Sequence, residues 1–329
     1  MKFQILIPQY KETDEVVKPL LDSIAIQQNV DMNEIGVIIC NDGSGVFLSD
    51  ELLKAYPFKI EYYKEEHRGV SATRNACLEH ATADYVMFCD ADDMFYNACG
   101  LYIVFREFQN DGFDTLMSVF LEESRNPANK NEVVYINHDM DSTFVHGKVH
   151  RRQYLIDNNI RWNDSLTIHE DSYFNCLCQR LAPEQRAKYC PTPFYLWKWR
   201  DESVCRHDPK YILKTYNNML DSSTALVKQF LNRTRKEDAQ FFVGNMVYDA
   251  YFTMNKKEWI DQENKEYRDN TERRFAEYYR EFKQLFNDIP EQVRFQLVSG
   301  IRNRMYAEGL LMESITFDSW IQHIETKYS

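Results

Sequence analysis

The sequence predicts an α/β fold, a mostly parallel sheet flanked by helices, followed by an all-helical module. Three observations predict it. Residues 1–122 alternate short apolar runs with amphipathic segments, as parallel sheets with crossover helices do. The runs end in polar turns rich in Gly, Asp and Asn. From Lys210 the strand signal stops and helical patterning continues almost to the end. A boundary near His207–Pro209 separates a first domain, 1–208, from a helical second, 209–329.

Strands are expected at Phe3–Ile7, Ile35–Cys40, Ile60–Tyr63, Tyr85–Cys89 and Thr115–Leu121, and helices at Val16–Gln28, Ser49–Ala55, Ser71–His80 and Cys99–Asn110. In the first helix Val16, Leu20 and Ile24 recur on one face. A polar loop should run from Leu121 to Asn131, before a strand at Val133–Ile136. Gly147–Arg152 should lead into a helix at Gln153–Asn158, and Ile168-His169-Glu170-Asp171 should open another over Ser172–Leu181. Pro191-Thr-Pro193 should break the chain before an aromatic strand, Phe194–Trp199. The tail should be helical with breaks near Asn232, Asn255, Pro290 and Glu313.

Composition narrows the function. The 329 residues carry a net charge of −12, and residues 1–209 hold 21 Lys+Arg against 33 Asp+Glu while 210–329 are balanced. No global basic footprint for nucleic acid exists, and the acidic first part disfavours polyanionic acceptors. The eight cysteines are scattered without paired CxxC motifs, which reads as reduced thiols in a cytoplasmic protein. No signal peptide is expected at the start, and no apolar run approaches the ~18 residues of a membrane span.

Chemistry concentrates where strands end, as ligand sites do in open α/β sheets. Tyr85–Cys89 runs into Asp90-Ala91-Asp92-Asp93. If extended there, Asp90 and Asp92 point the same way, roughly 6–7 Å apart. One can hold a ribose hydroxyl and the other a divalent cation against a pyrophosphate; a solvated acidic turn is the alternative. In Pro8-Gln-Tyr-Lys-Glu12, Pro8 stiffens the turn, Tyr10 can stack on a base and Glu12 can accept from ribose. In Asn41-Asp-Gly-Ser44, Asp42 can accept from a uracil imide, or the stretch is an ordinary turn. In Arg68-Gly-Val-Ser-Ala-Thr-Arg-Asn75, Arg74 sits near a helix N-terminus that attracts anions.

These four turns in this order, with Gly147–Leu155, Ile160–Asp164, Glu170-Asp171 and Trp199-Arg-Asp-Glu-Ser-Val204, resemble the family 2 glycosyltransferases over roughly residues 1–207. The resemblance implies the GT-A fold, an inverting enzyme using a UDP-sugar, and Mn²⁺ or Mg²⁺. It implies Asp42 on uracil, Arg68 and Arg74 near base and diphosphate, Asp90 on ribose, and Ala91 beside it in the donor site. Asp92 would hold the metal and Asp93 would lie nearer the donor sugar. Asp171 would be the general base with Glu170 in support. Arg206 and His207 would reach the diphosphate or metal. Two departures stand out: Asn41 where Asp is usual, and Lys11 in place of Asn.

A hexosyl- or N-acetylhexosaminyltransferase is therefore expected, with a saccharide, wall or capsular polymer, protein or modified nucleic-acid acceptor. A catalytically silent saccharide- or nucleotide-binding scaffold is the alternative. His67, His146 and His169 read as surface or hydrogen-bonded histidines. Trp162, Trp197 and Trp199 could stack on sugar, with core packing favoured for Trp197. The helical tail is a packing module, or a site for acceptor binding or homo-oligomerisation.

Overall fold

The computed structural model describes residues 1–110, 112–126, 128–200, 211–260, 264–307 and 315–329. The chain divides into two units, Met1–Ser203 and Val204–Ser329.

In the first unit, nine described strands form one sheet. Four are parallel, in the order β3 (Lys59–Glu65), β2 (Ile35–Asp42), β1 (Phe3–Gln9), β4 (Tyr85–Phe88). The register Phe3↔Ile35 and Phe3↔Tyr85 aligns the three central strands at their starts. Their C-terminal ends therefore open on one edge, where Pro8, Asp42 and Asp90 emerge.

Alternation of side chains gives β1 two apolar faces. Phe3, Ile5 and Ile7 belong to the same buried cluster as Val17, Leu20, Leu21 and Ile24 of α1 (Asp14–Ala25). The opposite face, including Leu6 of β1 and Ile38 and Cys40 of β2, is also buried, and α3 (Val70–His80) packs on these two strands. Two more helices complete this half, the short α2 (Asp50–Leu53) and α4 (Gly100–Gln109). Every strand and helix expected before residue 121 is present within a few residues.

The rest of the sheet departs from expectation. Beyond β4 come β8 (Lys148–Arg151), β6 (Thr115–Asn126), β9 (Ala187–Trp197) and β5 (Met94–Phe95), with β7 (Asn129–His138) paired to β6. The stretch expected as a polar loop is instead a hairpin, β6–β7, whose second strand is mostly exposed. The expected strand at Val133–Ile136 lies within β7, and cross-strand pairing with β6 extends it over the polar residues on either side. Strand β8 lies between β4 and β6, antiparallel to both. Pro191 and Pro193 do not break β9. Its pairing with β6 shifts register between Ser118 and Phe120, so the prolines fall in an irregularity that asks no ladder hydrogen bond of them. Helix α5 (Arg152–Asp157) packs on β8, and α6 (Glu170–Leu181) sets Phe174 against Phe88 of β4 and His150 of β8.

The second unit is helical: α7 (Tyr211–Asn232), α8 (Lys236–Met254), α9 (Lys257–Ile260), α10 (Lys265–Asn287), α11 (Glu291–Ala307) and α12 (Phe317–Lys327). Buried residues on α8 point in many directions, the mark of a central helix. Gly244 lets it approach α11 closely, since an added Cβ would stand 2.6 Å from Leu297 Cδ1. No described helix is long and apolar enough to cross a membrane.

Candidate functional site

A cavity of about 340 Å³ opens at the C-terminal edge of the parallel strands. It is lined by Pro8, Tyr10, Glu12, Asp42, His67, Arg74, Asp90 and Asp92, among others. All four strand-end turns singled out in the sequence contribute to it.

The first turn is tied down locally. The Tyr10 N–H donates to Glu12 Oε2 at 2.8 Å, and the Tyr10 ring, 39% exposed, stacks on His67 with centroids 4.9 Å apart. The second is organised by Asp42, which accepts from the Arg68 and Gly69 N–H groups at 2.8 and 3.0 Å and lies 2.9 Å from His67 Nδ1. Asp42 thus joins the end of β2 to the loop that opens α3. Gly43, at φ +62°, is needed there, because a Cβ would lie 2.6 Å from the His67 nitrogen. Asn41 faces inward, donating to Val46 O at 2.9 Å and Ser44 Oγ at 3.0 Å. An Asp there could not donate, so the departure at 41 shapes the turn. Arg68 is exposed and outside the cavity lining.

The chain does not stay extended after β4. The Asp93 N–H donates to Asp90 O at 3.2 Å, closing a turn that sends three carboxylates in three directions. Asp90 meets Arg74. Asp92 meets Arg200 Nη1 at 2.8 Å, and the same nitrogen stands 3.7 Å from Glu12. Asp93 turns inward, 1% exposed, and accepts from the Tyr195 hydroxyl at 2.5 Å and the Lys198 N–H at 3.0 Å. It does not line the cavity. Burial pushes its carboxyl well above the usual range, and Asp92 and Asp90 add to that.

Arg74 is the hub. Its guanidinium is 4% exposed and donates to Asp90 at 3.0 Å, Asp171 at 2.6 Å and Glu170 at 3.2 Å. It lies over the Trp162 ring at 4.4 Å, and that ring is itself stacked on Phe174 at 4.2 Å. Burial opposes the Arg74 charge, but Asp171, Asp90 and Glu170 outweigh it and hold the guanidinium protonated. The resemblance implies Arg74 by base and diphosphate; the structure commits it to carboxylates of the β4 turn and of the start of α6. Trp162, a candidate sugar platform, is interior, 3% exposed.

Glu170 and Asp171 open α6 directly after His169, which takes a left-handed backbone at φ +65°. A non-glycine residue held there is a local strain of the kind that clusters at functional sites. The Val145 N–H donates to Asp171 Oδ2 at 3.0 Å. Asn175, one turn on, donates to Phe144 O at 2.8 Å, and the buried Lys148 ammonium reaches Phe144 O and His146 O. Burial and then the Asp171 charge push Glu170 up to about 7; burial likewise raises Asp171, against the pull of Arg74.

Sequence reasoning missed two groups. Arg200 is the arginine of the Arg-x-x-Ser segment, whereas the resemblance points to Arg206 and His207, which lie outside the described residues. His146 is interior, its ring between Phe144 and Tyr195, with Nδ1 3.5 Å from Asp93. Its spacing to any partner gives no sign of this. Trp197 packs against the core, as expected.

The cavity's acidic donors are carboxylate oxygens, which suits a hard divalent cation. Asp92 is the carboxylate of this turn, lining the cavity, that Arg74 leaves alone, so the residues present fit the expected metal. Asp90, Asp93 and His146 also bring ligand atoms within 4.8 Å of one another, but Asp93 is closed off from the cavity.

Comparison with known proteins agrees with this geometry. The family model described as Glycosyl transferase family 2 matches residues 4–167. Glycosyltransferase GlyA of Streptococcus pneumoniae is 33% identical over 95 residues, 28% of this chain and 13% of that protein. Poly(ribitol-phosphate) beta-N-acetylglucosaminyltransferase TarS of Staphylococcus aureus is 23% identical over 184 residues, 53% of this chain and 32% of that protein. The chain thus matches a third or less of the length of these curated relatives. The crystal structure of S. aureus TarS 1–349 superposes with a TM-score of 0.63 at 17% identity, covering 100% of this chain and 91% of that one. Its complex with UDP-GlcNAc gives 0.62 at the same identity and coverage. At that identity the likeness is one of fold, and the fold is the GT-A arrangement with a helical C-terminal region.

Proposed function

The chain belongs to glycosyl transferase family 2, and we propose that it transfers a sugar from a UDP-sugar to an acceptor hydroxyl with inversion, Asp171 acting as general base. The observation that carries this reading is Arg74, which joins Asp90 of the cavity to the Glu170-Asp171 pair within one hydrogen-bonded cluster.

In this reading the uridine enters between Tyr10 and Asp42. Asp42 already holds the loop against which the base would lie, and Asp90 takes a ribose hydroxyl. Ala91, buried between the two aspartates, keeps that floor small. A divalent cation held by Asp92 supplies positive charge against the departing diphosphate. Arg200, now paired with Asp92 and Glu12, is a second positive group at the same place, and Arg206 and His207 are candidates beside it. Asp93 acts from behind, fixing Tyr195 and Lys198. Asp171 accepts the acceptor's proton as its oxygen attacks the anomeric carbon from the face opposite the leaving group. The C–O bond to UDP breaks as the new glycosidic bond forms, and an α-linked donor gives a β-linked product. Glu170 and Arg74 set the charge that the base experiences.

TarS, as named, adds N-acetylglucosamine to poly(ribitol-phosphate), which makes UDP-GlcNAc the first donor to try and a hydroxyl-rich wall polymer the first acceptor. Cysteine usage fits work in the cytoplasm, with no disulfide among the described residues. The helical unit is assigned to acceptor binding or self-association.

The test is UDP release from a panel of UDP-sugars, with Mn²⁺, Mg²⁺ or a chelator, on wild type and Asp92→Ala. Metal-dependent release with one sugar, lost in the variant, is expected. No release from any sugar, together with no UDP binding by calorimetry, would overturn the reading.

A further inference from the structure

A second cluster of metal-ligating side chains lies behind the cavity loops, on the α3 side of the sheet. One ligand atom each from Cys40 of β2, Glu65 of β3 and His80 of α3 falls within 4.8 Å of the others. The register Cys40↔Tyr63 and Asp42↔Glu65 puts Cys40, Tyr63 and Glu65 on one face of the sheet. His80 lies flat on the Tyr63 ring, centroids 3.6 Å apart at 2°, with Nε2 3.4 Å from Glu65 Oε1. Cys77 sits three residues before His80 on α3, so both project from one helix face. Cys77 is buried beside Cys40, its thiol donating to Ile7 O at 3.6 Å.

We propose that Cys40, Cys77, His80 and Glu65 form a structural zinc site. Two sulfurs, an imidazole and a carboxylate are a donor set for a borderline cation, and Zn²⁺ takes four such ligands tetrahedrally. The hard cations proposed for Asp92 prefer an all-oxygen set, so the two sites select different metals. A plain His–Glu contact beside packed thiols is the competing account. It explains each contact separately but not why ligand atoms of Cys40, Glu65 and His80 from β2, β3 and α3 converge, with a fourth donor, Cys77, buried alongside. Closing the site asks Cys40, Glu65 and His80 to draw together from within 4.8 Å to the spacing of ligands on one ion, and Cys77 to turn its sulfur from Ile7 O towards them. Binding releases the two thiol protons as the sulfurs become thiolates.

The site would stitch together the three elements whose ends build the cavity. Asp42 follows Cys40 by two residues, His67 follows Glu65 by two, and Arg74 precedes Cys77 by one turn. Metal loss would therefore lower the melting temperature and loosen the Asp42–Gly69 contact that shapes the donor loop, while leaving Asp92 and the Glu170-Asp171 pair in place.

The test uses the full chain without an affinity tag, reduced and then equilibrated with Zn²⁺ or Co²⁺ before gel filtration. About one tightly held zinc per chain is expected. The cobalt form should show thiolate-to-metal absorption and a tetrahedral visible spectrum. His80→Gln, at a partly exposed position that tolerates change, and Cys77→Ser should each lose most of the metal. Asp92→Ala should keep it, which separates this site from the catalytic cation. Wild type that takes up no zinc after reduction, or zinc retained equally in both ligand variants, overturns the proposal.

Discussion

The two halves of the sheet solve different problems. In the parallel half, β3-β2-β1-β4, strand ends carry polar turns outward, and the cavity lining from Pro8 to Asp92 comes from that half alone. In the mixed half, β8-β6-β9-β5, polar groups turn inward: Tyr195 and Lys198 hold Asp93, and Val145 holds Asp171. One half presents, the other braces. Arg74, almost wholly buried, ties the two together, with Asp90 on one side and Glu170 and Asp171 on the other. A transferase needs this division, because donor recognition needs open groups and a base needs a fixed, shielded position.

The sharpest way to test the division is to remove one function and keep the other. Asp171→Asn should lower kcat by about 10²–10⁴-fold, the usual worth of a positioned base, while calorimetric UDP affinity stays within about twofold. A parallel loss of UDP binding would break the comparison. Cutting the link between the halves should cost stability as well. Arg74→Ala strands three carboxylates in a low-solvent site, and losing a buried partner typically costs about 3–5 kcal/mol. Chemical denaturation would read that loss, and a variant as stable as wild type would remove Arg74 from its place.

On the presenting side, Tyr10→Ala should weaken UDP binding by about 1–3 kcal/mol, the range for an aromatic stacked on a base, with kcat unchanged at saturating donor. A pH profile gives the smallest and most diagnostic effect. With Glu170 pushed up to about 7 by burial and Asp171, kcat/KM should rise with pH and level off above about 7. The value belongs to the pair rather than to either carboxyl. Glu170→Gln removes one charge and should move the rise to lower pH. Stability runs the other way. The native state keeps a proton that the unfolded chain releases, so this contribution is full below pH 4.5 and is lost as pH climbs through about 7.

The same contrast explains what was legible in the sequence. Ile5, Leu6, Ile7 and Val37, Ile38, Ile39 are buried on both faces, and their unbroken apolar runs announce parallel strands. The site turns followed because each is short and local. Strand β8, by contrast, buries Lys148 and His150, whose polarity hides a strand, and burial takes His150 down to about 3. Of β7 only the apolar Val133–Ile136 stretch is legible, and of β9 only the aromatic end from Phe194; the exposed start of β7 and the part of β9 around its two prolines carry no alternation to read. The hub was missed for another reason. Arg74 and Asp171 are 97 residues apart, and no local pattern encodes a contact closed by tertiary folding. Even Asp93, the immediate neighbour of Asp92 in the same acidic turn, is told apart from it only by the turn's direction.

One guanidinium facing three carboxylates also sets up an exchange of protons with binding. While Asp90 shares Arg74, less of that positive charge serves Glu170 and Asp171, and the pair holds its proton tightly. In the proposed reading, a cation that neutralises Asp90 would remove a charge that raises both carboxyls and so would lower the pair's proton affinity. Linkage would make the effect reciprocal, so the affinity for that cation would rise with pH by the factor that the cation lowers the pair's proton affinity. The proposed base would then ionise more readily once the cation of the donor complex is bound than before it.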